Sequence, residues 1–274
     1  MKKIILSIVA LALVTGVSAQ EVADKKIQAG LVLGYGLSFQ KMGTKILTND
    51  GPGGDFTIGT NVNFSFGGNS NLGLNTGVEF DFGTLNYKSS GTDNVYYWYS
   101  DATILRNDET NTTTDELFLL TSRKQKPLYL TIPTMLIFRT NFIGYFRYFG
   151  KFGTKNSILL RQKVTDKGQN LDPNIPLGVM TAGENTDMTA PGDMFFFKSS
   201  VGLAGGAEWN FSGSTSLMAE IGYYYGFTPL HRQQKDQNNQ TLFTSGLYNG
   251  SGTDEYFSNS ALQQQLQFKV SVLF

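Results

Sequence analysis

The 274-residue sequence contains no cysteine and only one histidine, His231. A chain without cysteine forms no disulfide, holds no metal through thiolates, uses no cysteine nucleophile and carries no lipid on a cysteine. A single histidine also makes a histidine-rich metal centre or a histidine-based catalytic pair hard to assemble. We therefore expect no catalytic residue, no metal site and no cofactor.

The sequence also lacks an excess of charge and long hydrophobic runs. Its 22 Lys and Arg are balanced by 22 Asp and Glu, whereas a nucleic-acid-binding protein needs a basic surplus to replace the counterions on phosphate. Beyond residue 19, no apolar run approaches the ~18 residues of a transmembrane helix. These absences exclude nucleic acid as a partner and a helical membrane protein as the fold.

The first 19 residues have the three parts of a secretory signal peptide. Lys2 and Lys3 precede an apolar run from Ile4 to Val17, and Val17-Ser18-Ala19 places small residues where a signal peptidase reads. The alternative, a transmembrane anchor, is disfavoured because the run is shorter than the ~20 residues that cross a bilayer. The sequence predicts a signal peptide at 1–19 and one exported domain at 20–274.

The exported part alternates apolar and polar residues with a period of two, which is the pattern of a strand with one apolar face. In the first segment Leu33, Tyr35 and Leu37 alternate with Gly34 and Gly36. Eight such segments are predicted, at residues 27–39, 56–66, 72–82, 128–139, 145–152, 195–211, 217–227 and 262–274.

The lengths of the links between these segments distinguish two architectures. Long links at 40–55, 84–127, 155–193 and 228–261 alternate with short ones at 67–71, 140–141 and 212–214. Short periplasmic turns and long extracellular loops are typical of an outer-membrane barrel. A soluble sandwich or lipocalin-like barrel, the alternative, has no reason to place every long loop at one end.

Aromatic residues on the apolar faces are concentrated near both ends of the predicted strands, as in the two aromatic girdles of a membrane barrel. Phe138, Trp209 and Phe274 lie at the periplasmic ends, and Tyr35 and Phe227 at the outer ends. The predicted fold class is all-β, an eight-stranded antiparallel up-and-down transmembrane β-barrel with short periplasmic turns and long extracellular loops.

Two stretches resemble parts of known outer-membrane proteins. The run Leu266–Phe274, with Phe268, Val270 and Val272 at every second position before the terminal Phe274, resembles the signal read by the barrel-assembly machinery. The run Leu128-Tyr129-Leu130-Thr131-Ile132-Pro133 is similar to the Tyr-Leu-x-Ile-Pro motif in the fourth strand of the eight-stranded, PorT-like porin family of Bacteroidota. The resemblance implies a Gram-negative outer membrane, with lipid, lipopolysaccharide and the assembly machinery as partners.

Pro133 requires a local departure from a regular strand, because proline has no N–H to donate to the ladder. We expect a bulge that bends the fourth strand. The alternative is that this strand begins only after Pro133.

The inward positions of the predicted strands carry four acids and five bases. An eight-stranded barrel has room only for side chains in its lumen, and buried charges must be paired, so these groups predict an interlocked polar plug. The alternative is a proton or small-ion path along the same groups. The nine residues are Glu79, Asp81, Arg139, Arg147, Lys151, Lys198, Glu208, Glu220 and Lys269.

The long loops contain the remaining candidate site residues. Tyr96, Tyr97, Trp98 and Tyr99 could stack sugars or dock a protein partner if exposed, although resting on the membrane interface or packing over the barrel mouth is favoured. His231, with only Asp236 near it in sequence, is expected to be a solvated side chain. The stretches 116–120 and 157–160 are apolar enough to extend strands four and five into a raised hairpin.

The sequence favours a binding, structural or secretion-accessory role through the extracellular loops, with a surface or secretion-system protein as partner and no enzymatic activity. A narrow porin-like channel is the alternative. An outer-membrane hydrolase or acyltransferase is less favoured, because a general base needs an orienting partner and a nucleophile within hydrogen-bond reach.

Overall fold

The computed structural model describes residues 26–66, 71–91, 94–106, 115–171, 181–213, 215–231, 242–245, 255–257 and 259–274. The predicted signal peptide lies outside these ranges. No helix in the described ranges is long and apolar enough to cross a membrane. The strands are β1 (Ile27–Met42), β2 (Leu47–Asn49), β3 (Gly53–Ser65), β4 (Leu72–Thr76), β5 (Glu79–Gly83), β6 (Leu85–Ser89), β7 (Val95–Ser100), β8 (Thr103–Ile104), β9 (Glu116–Arg139), β10 (Phe146–Leu171), β11 (Thr181–Met188), β12 (Phe197–Ser212), β13 (Thr215–Gly226), β14 (Phe243–Ser245), β15 (Glu255–Phe257) and β16 (Ala261–Leu273).

In the described part of the chain, eight antiparallel strands form a closed ring in the order β1, β3, β4–β5, β9, β10, β12, β13 and β16. The last strand returns to the first, so that Tyr35 pairs with Phe268 and Leu31 with Val272. The predicted eight-stranded antiparallel barrel is confirmed. Closure leaves none of these eight strands as an open edge within the barrel.

The barrel is polar inside and apolar outside, the reverse of a soluble protein. On β1, Leu33 and Tyr35 are 52% and 61% exposed, whereas Ser38 between exposed neighbours is buried. On β16, Phe268 is 54% exposed and its neighbour Lys269 only 3%. The alternation predicted from the sequence therefore faces its apolar side outward, as a barrel in lipid requires.

One hairpin extends far beyond the rest of the ring. β9 has 24 residues and β10 has 26, so at ~3.3 Å per residue each is about 80 Å long, against a hydrocarbon core of ~30 Å. Strands four and five do extend into a raised hairpin, but the predicted pairing of 116–120 with 157–160 is wrong, because residues 117–120 pair with 168–171. The four predicted long links, 40–55, 84–127, 155–193 and 228–261, were wrong in part, because each contains strand residues.

The upper part of this hairpin is the centre of a second folded layer, which we call the cap. β11 pairs with β10, β7 with β9, and β14 with both β7 and β15, while β2 pairs with β6. The cap consists of β2, β6–β8, β11, β14, β15 and the segments 116–127 and 161–171. It has its own apolar core, which includes Leu47, Tyr97, Phe118, Val164 and Phe243.

Neither expectation for Pro133 holds. β9 runs through Pro133, which pairs with Lys155, and the register with β10 does not shift there. Instead the neighbouring barrel strand is interrupted between Thr76 and Glu79, the stretch opposite Pro133. Because Pro133 has no N–H to donate, the backbone hydrogen bonds between β9 and the β4–β5 strand are interrupted at this point. The Thr76 hydroxyl instead donates to the Pro133 carbonyl at 2.8 Å.

Candidate functional site

At the end of the lumen nearest the short turns, two arginines share one carboxylate. Arg147 on β10 and Glu208 on β12 are direct cross-strand partners, and the guanidinium donates two hydrogen bonds, Nε to Oε2 at 2.8 Å and Nη2 to Oε1 at 2.9 Å. Arg139 Nε lies 3.7 Å from Glu208 Oε2. This bidentate geometry is the strongest form of a charge-assisted hydrogen bond.

In the middle of the barrel, acids and bases alternate across four strands, β10, β13, β16 and β5. Lys151 Nζ lies 2.5 Å from Glu220 Oε2, and Lys269 Nζ donates to both oxygens of Glu79, at 2.6 and 2.8 Å. Glu220 and Lys269 are themselves opposite each other in the register of β13 and β16. Each charge therefore faces a neighbour of opposite sign.

Lys155 continues this chain of charges upward and was not among the predicted residues. Its ammonium lies 3.7 Å from Glu79 Oε2 and 3.6 Å from Asp81 Oδ2, donates to Gln267 Oε1 at 2.8 Å, and sits 4.8 Å from the centre of the Tyr224 ring. One cation thus holds two carboxylates on β5.

Near the upper end of the barrel, Asp81 accepts hydrogen bonds from the hydroxyls of Thr57 at 2.5 Å and Thr131 at 2.6 Å. Lys198 lies over the Tyr129 ring, with Nζ 4.1 Å from its centre. Its ammonium donates to Gln263 rather than to a carboxylate.

The structure places all nine predicted lumen charges in the interior, each less than 10% exposed. Eight of this set take part in three clusters of ion pairs, and Lys198 is hydrogen-bonded to Gln263. Two further members, Lys155 and Asp55, were assigned to links and missed. Lys155 has the same parity as Arg147 and Lys151, which could have revealed it. Asp55 immediately precedes a predicted strand and accepts from Gln265 Nε2 at 2.8 Å.

Inside the cap, a separate ion pair joins β9 to β10. Arg123 and Asp166 are cross-strand partners with two hydrogen bonds of 2.7 Å, and both side chains are fully buried. The guanidinium lies between the rings of Tyr97 and Phe243, 5.2 and 4.7 Å from their centres. Burial alone would lower the pKa of Arg123, but the Asp166 carboxylate together with Tyr87 and Tyr97 outweighs it, so the pKa lies well above its usual value.

His231 is buried beneath the cap, so the expectation of a solvated side chain is wrong. Its Nε2 lies 3.0 Å from Gln125 Oε1, and Gln125 Nε2 donates to Asp193 Oδ2 at 2.9 Å, which makes His231 Nε2 the donor. Burial lowers the pKa of His231, Asp193 raises it and Arg123 lowers it further, with a net decrease. Asp236 lies outside the described residues.

The aromatic run from Tyr96 to Tyr99 is also buried, and the exposure that a binding role would need is absent from these four side chains. Tyr97 and Tyr99 pack against Phe118 in the cap core, while Tyr96 and Trp98 pack against Leu117 on the opposite face. The reason is that β7 lies between β9 and β14 in the cap sheet. Four consecutive aromatics fit a strand covered on both faces.

The sequence matches the outer membrane protein beta-barrel domain family over residues 18–232. The chain belongs to this family. Among solved structures, the attachment invasion locus protein Ail of Yersinia pestis is 11% identical, with 91% of this chain and 100% of that chain covered and a TM-score of 0.35. Neisserial surface protein A is 9% identical, with 91% of this chain and 98% of that chain covered and a TM-score of 0.34. The outer membrane protease OmpT of Escherichia coli is 11% identical, with 93% of this chain and 98% of that chain covered and a TM-score of 0.34.

No curated protein matches the sequence. The similarities to solved structures are too distant to bear on the function of this outer-membrane barrel. Its place in the envelope rests on the family and on the exterior apolar band, which spans Leu128 to Phe138 on β9. A stretch of this length suits a tilted strand crossing the bilayer.

Three of the residues that resemble an assembly signal lie on β16, next to the seam with β1, and Phe274 directly follows this strand. Phe268 and Phe274 are exposed on the outer surface of the barrel, and Val270 and Val272 are half-buried between neighbouring strands. Recognition by the assembly machinery stays a prediction for these four residues.

We predict that Glu208→Ala destabilises the barrel by about 3–5 kcal/mol, because it leaves two buried guanidiniums without their carboxylate. Urea-dependent unfolding in lipid vesicles, followed by the shift between folded and unfolded bands on a gel, measures this. The double substitution Arg147→Met with Glu208→Met should cost less than the single one. Glu184→Ala, an exposed acid on β11, is the matched control, and equal midpoints for Glu184→Ala and Glu208→Ala would contradict the prediction.

We predict that the cap loosens as the pH falls, because the folded state favours neutral His231. The pKa of His231 is lower in the folded protein than the ~6.5 of an unfolded chain. The contribution of His231 to stability is therefore fully present above pH ~6.5 and is lost as the pH falls through the folded pKa. Limited proteolysis between pH 7.5 and 5 should show increasing cleavage of the cap. His231→Gln should flatten this increase, and an unchanged pH profile in that variant would refute the assignment.

Proposed function

We propose that this outer-membrane barrel is closed to solutes and acts at the cell surface through binding or structural contacts of its cap. The observation that carries the proposal is the cap itself, in which the long loops form a sheet with its own apolar core and a buried ion pair, Arg123 and Asp166. Loops that only connect strands do not need such a core.

The lumen supports a closed barrel. Charged side chains from five barrel strands form ion pairs at successive heights of the lumen, from Glu208 up to Asp81. Opening a path for solutes through the lumen would separate ion pairs such as Lys269 and Glu79 in a medium of low dielectric. This separation would cost several kcal/mol for each ion. A plug is therefore favoured over a porin-like channel.

The cap supports a binding role because it is preorganised. β9 and β10 pass without interruption from the barrel into the cap, so the cap is held to the barrel by backbone ladders. A surface that is already ordered loses less conformational entropy when it binds. We place the cap outside the cell, since long loops of outer-membrane barrels are extracellular.

An enzymatic role is not favoured by the surroundings of His231. In the described residues its ring nitrogen contacts an amide, Gln125, rather than a carboxylate or a nucleophilic hydroxyl. A general base needs an orienting group and a nucleophile within reach. We therefore assign His231 to the support of the cap.

The type of barrel, the route of export and the partners are proposed from the sequence. The stretch 128–133 supports a PorT-like barrel, and the residues 1–19 support export by a cleaved signal peptide. The expected partners are outer-membrane lipid, lipopolysaccharide, the assembly machinery and a surface or secretion-system protein.

We predict that the purified protein shows no steady conductance in a planar bilayer, because the paired charges fill the lumen. Substituting both Tyr97 and Phe243 by Ser, which loosens the cap above the lumen, should leave the bilayer silent. Open-channel currents of the unsubstituted protein would sink the closed-barrel proposal and favour a pore.

We predict that Arg123→Met, which leaves Asp166 buried without its partner, inactivates the protein. A gene with this substitution should fail to restore the wild-type phenotype to a deletion strain. The amount of folded barrel in the outer membrane, read from heat-modified mobility, should remain near normal because the substitution lies above the barrel. Thr121→Ala, an exposed residue on the same strand, should behave as the unsubstituted protein. If Arg123→Met made the cap sensitive to protease and still fully restored the phenotype of the deletion strain, a role of the cap in function would be refuted.

A further inference from the structure

The outer face of the long hairpin is strongly basic where it leaves the apolar band. On β9 the outward residues above Leu128 are Lys126, Lys124 and Ser122, and on β10 they are Arg161, Lys163, Thr165 and Lys167. None of these positions carries an acid. In the register of the two strands, Lys126 is directly opposite Lys163 and Arg161 is opposite Leu128.

A change of register brings Arg161 into this group. The pairing of β9 with β10 shifts between Leu159 and Arg161, so Leu160 and Arg161 are both exposed on the outer face. With unbroken alternation, Arg161 would follow Leu159 and point inward. Bulges commonly re-aim a side chain in this way, and here the result is a guanidinium added to a row of lysines.

Of the five cations, Lys163 is hydrogen-bonded within the protein and Lys167 lies across the strand pair from an acid. Lys163 Nζ donates to the Asp187 carbonyl at 3.0 Å and to Thr189 Oγ1 at 2.9 Å, and Lys167 is opposite Glu184 on β11. Lys124, Lys126 and Arg161 have no ion pair or hydrogen bond with any residue that the structure describes. We call these three the basic patch.

The basic patch is costly to the folded protein unless an anion from outside balances it. Like charges directly opposite each other across two strands are destabilising, and Lys126 faces Lys163 in this position. Lys124 and Lys126 lie ~7 Å apart along β9. Arg161 lies on the adjacent strand ~4.8 Å away, level with Leu128 and thus a further ~7 Å below Lys126. Such spacing allows them to converge on one or two phosphate groups.

The height of the basic patch identifies the anion. Directly below it the outer surface is apolar, with Leu160 51% and Phe196 64% exposed. The hydrocarbon therefore ends at Leu128 and Leu160, and the patch lies at the level of the lipid headgroups. Long basic side chains at this boundary place their stems on apolar surface and their charges among the headgroups, and arginine binds phosphate with two parallel hydrogen bonds.

We infer that Lys124, Lys126 and Arg161 form a binding site for the phosphate groups of an anionic lipid of the outer leaflet, which in a Gram-negative envelope is lipopolysaccharide. The site would fix the lipid against β9 and β10 at the base of the cap. The inference rests on the proposed extracellular position of the cap. A binding assay in detergent does not depend on that orientation, so the two can fail separately.

The test uses the purified full-length protein in a neutral detergent and fluorescently labelled lipopolysaccharide, with binding read from fluorescence anisotropy. Each basic group near an anionic lipid surface contributes about fivefold in affinity. Replacing Lys124, Lys126 and Arg161 together by Gln should weaken binding on the order of a hundredfold. The control replaces Lys26, Lys45 and Lys167, three exposed cations outside the basic patch, by Gln, and should bind like the unsubstituted protein. Heat-modified mobility verifies that both triple variants are folded.

Competition separates a lipid site from a general anion site. Unlabelled lipopolysaccharide should displace the probe, whereas lipopolysaccharide stripped of its phosphates and millimolar inorganic phosphate should not. Equal losses in the two triple variants would overturn the site. Displacement by the dephosphorylated lipid would overturn phosphate recognition, and full displacement by inorganic phosphate would overturn the lipid as its source.

Discussion

The interior of a closed eight-stranded ring has room for side chains and little else, so every charge that points inward must meet a partner there. Strand register meets this constraint. Arg147 is opposite Glu208 and Arg123 is opposite Asp166, and both pairs form two hydrogen bonds. A slip of one residue in either pairing would turn one partner outward and leave the other buried alone. The charges therefore specify the register as well as fill the space.

The same constraint extends beyond the membrane. Because β9 and β10 continue as strands, the cap inherits the inside and outside of the barrel, with Arg123 and Gln125 inward and Lys124 and Lys126 outward. The inward residues organise the cap core and the network that reaches His231. The outward residues form a charged rim above the apolar band. The alternation along β9 thus contributes Arg139 to the plug, Gln125 to the support of the cap, and Lys124 and Lys126 to the basic patch.

The barrel could be predicted from sequence because lipid requires a regular apolar exterior. That requirement produces the alternation on β1 and β16, and it also reveals by parity that Glu79 and Lys269 point inward. Above the apolar band the exterior is polar, as at Lys124 and Lys163, so the sequence pattern fades although backbone pairing continues. For this reason the strand beyond the band was missed. Lys155 lies within the band, opposite Pro133, but its neighbours Thr154 and Asn156 are polar, so the alternation is also weak there and Lys155 was placed in a link.

The cap residues were misjudged for a different reason. The burial of Tyr97 and His231 arises from contacts with distant segments, Phe243 on β14 and Gln125 on β9. No local pattern carries that information. The consecutive aromatics of β7 did signal a strand buried on both faces, and packing over the barrel mouth was one of the interpretations. Pro133 showed that a neighbouring strand, rather than the strand that contains the proline, can absorb a missing donor.

The order of the strands in the ring has a consequence for how the protein reaches its native state. β9 and β10 are joined by a short turn at 140–145 and share the longest ladder of the ring, so their pairing orders little intervening chain. The β1–β16 seam joins opposite ends of the chain, as in the pairing of Tyr35 with Phe268, and its loop-closure entropy is the largest in the barrel. The hairpin can therefore act as an early template. The seam closes last, and until then the two terminal strands present unpaired edges beside the run that ends in Phe274.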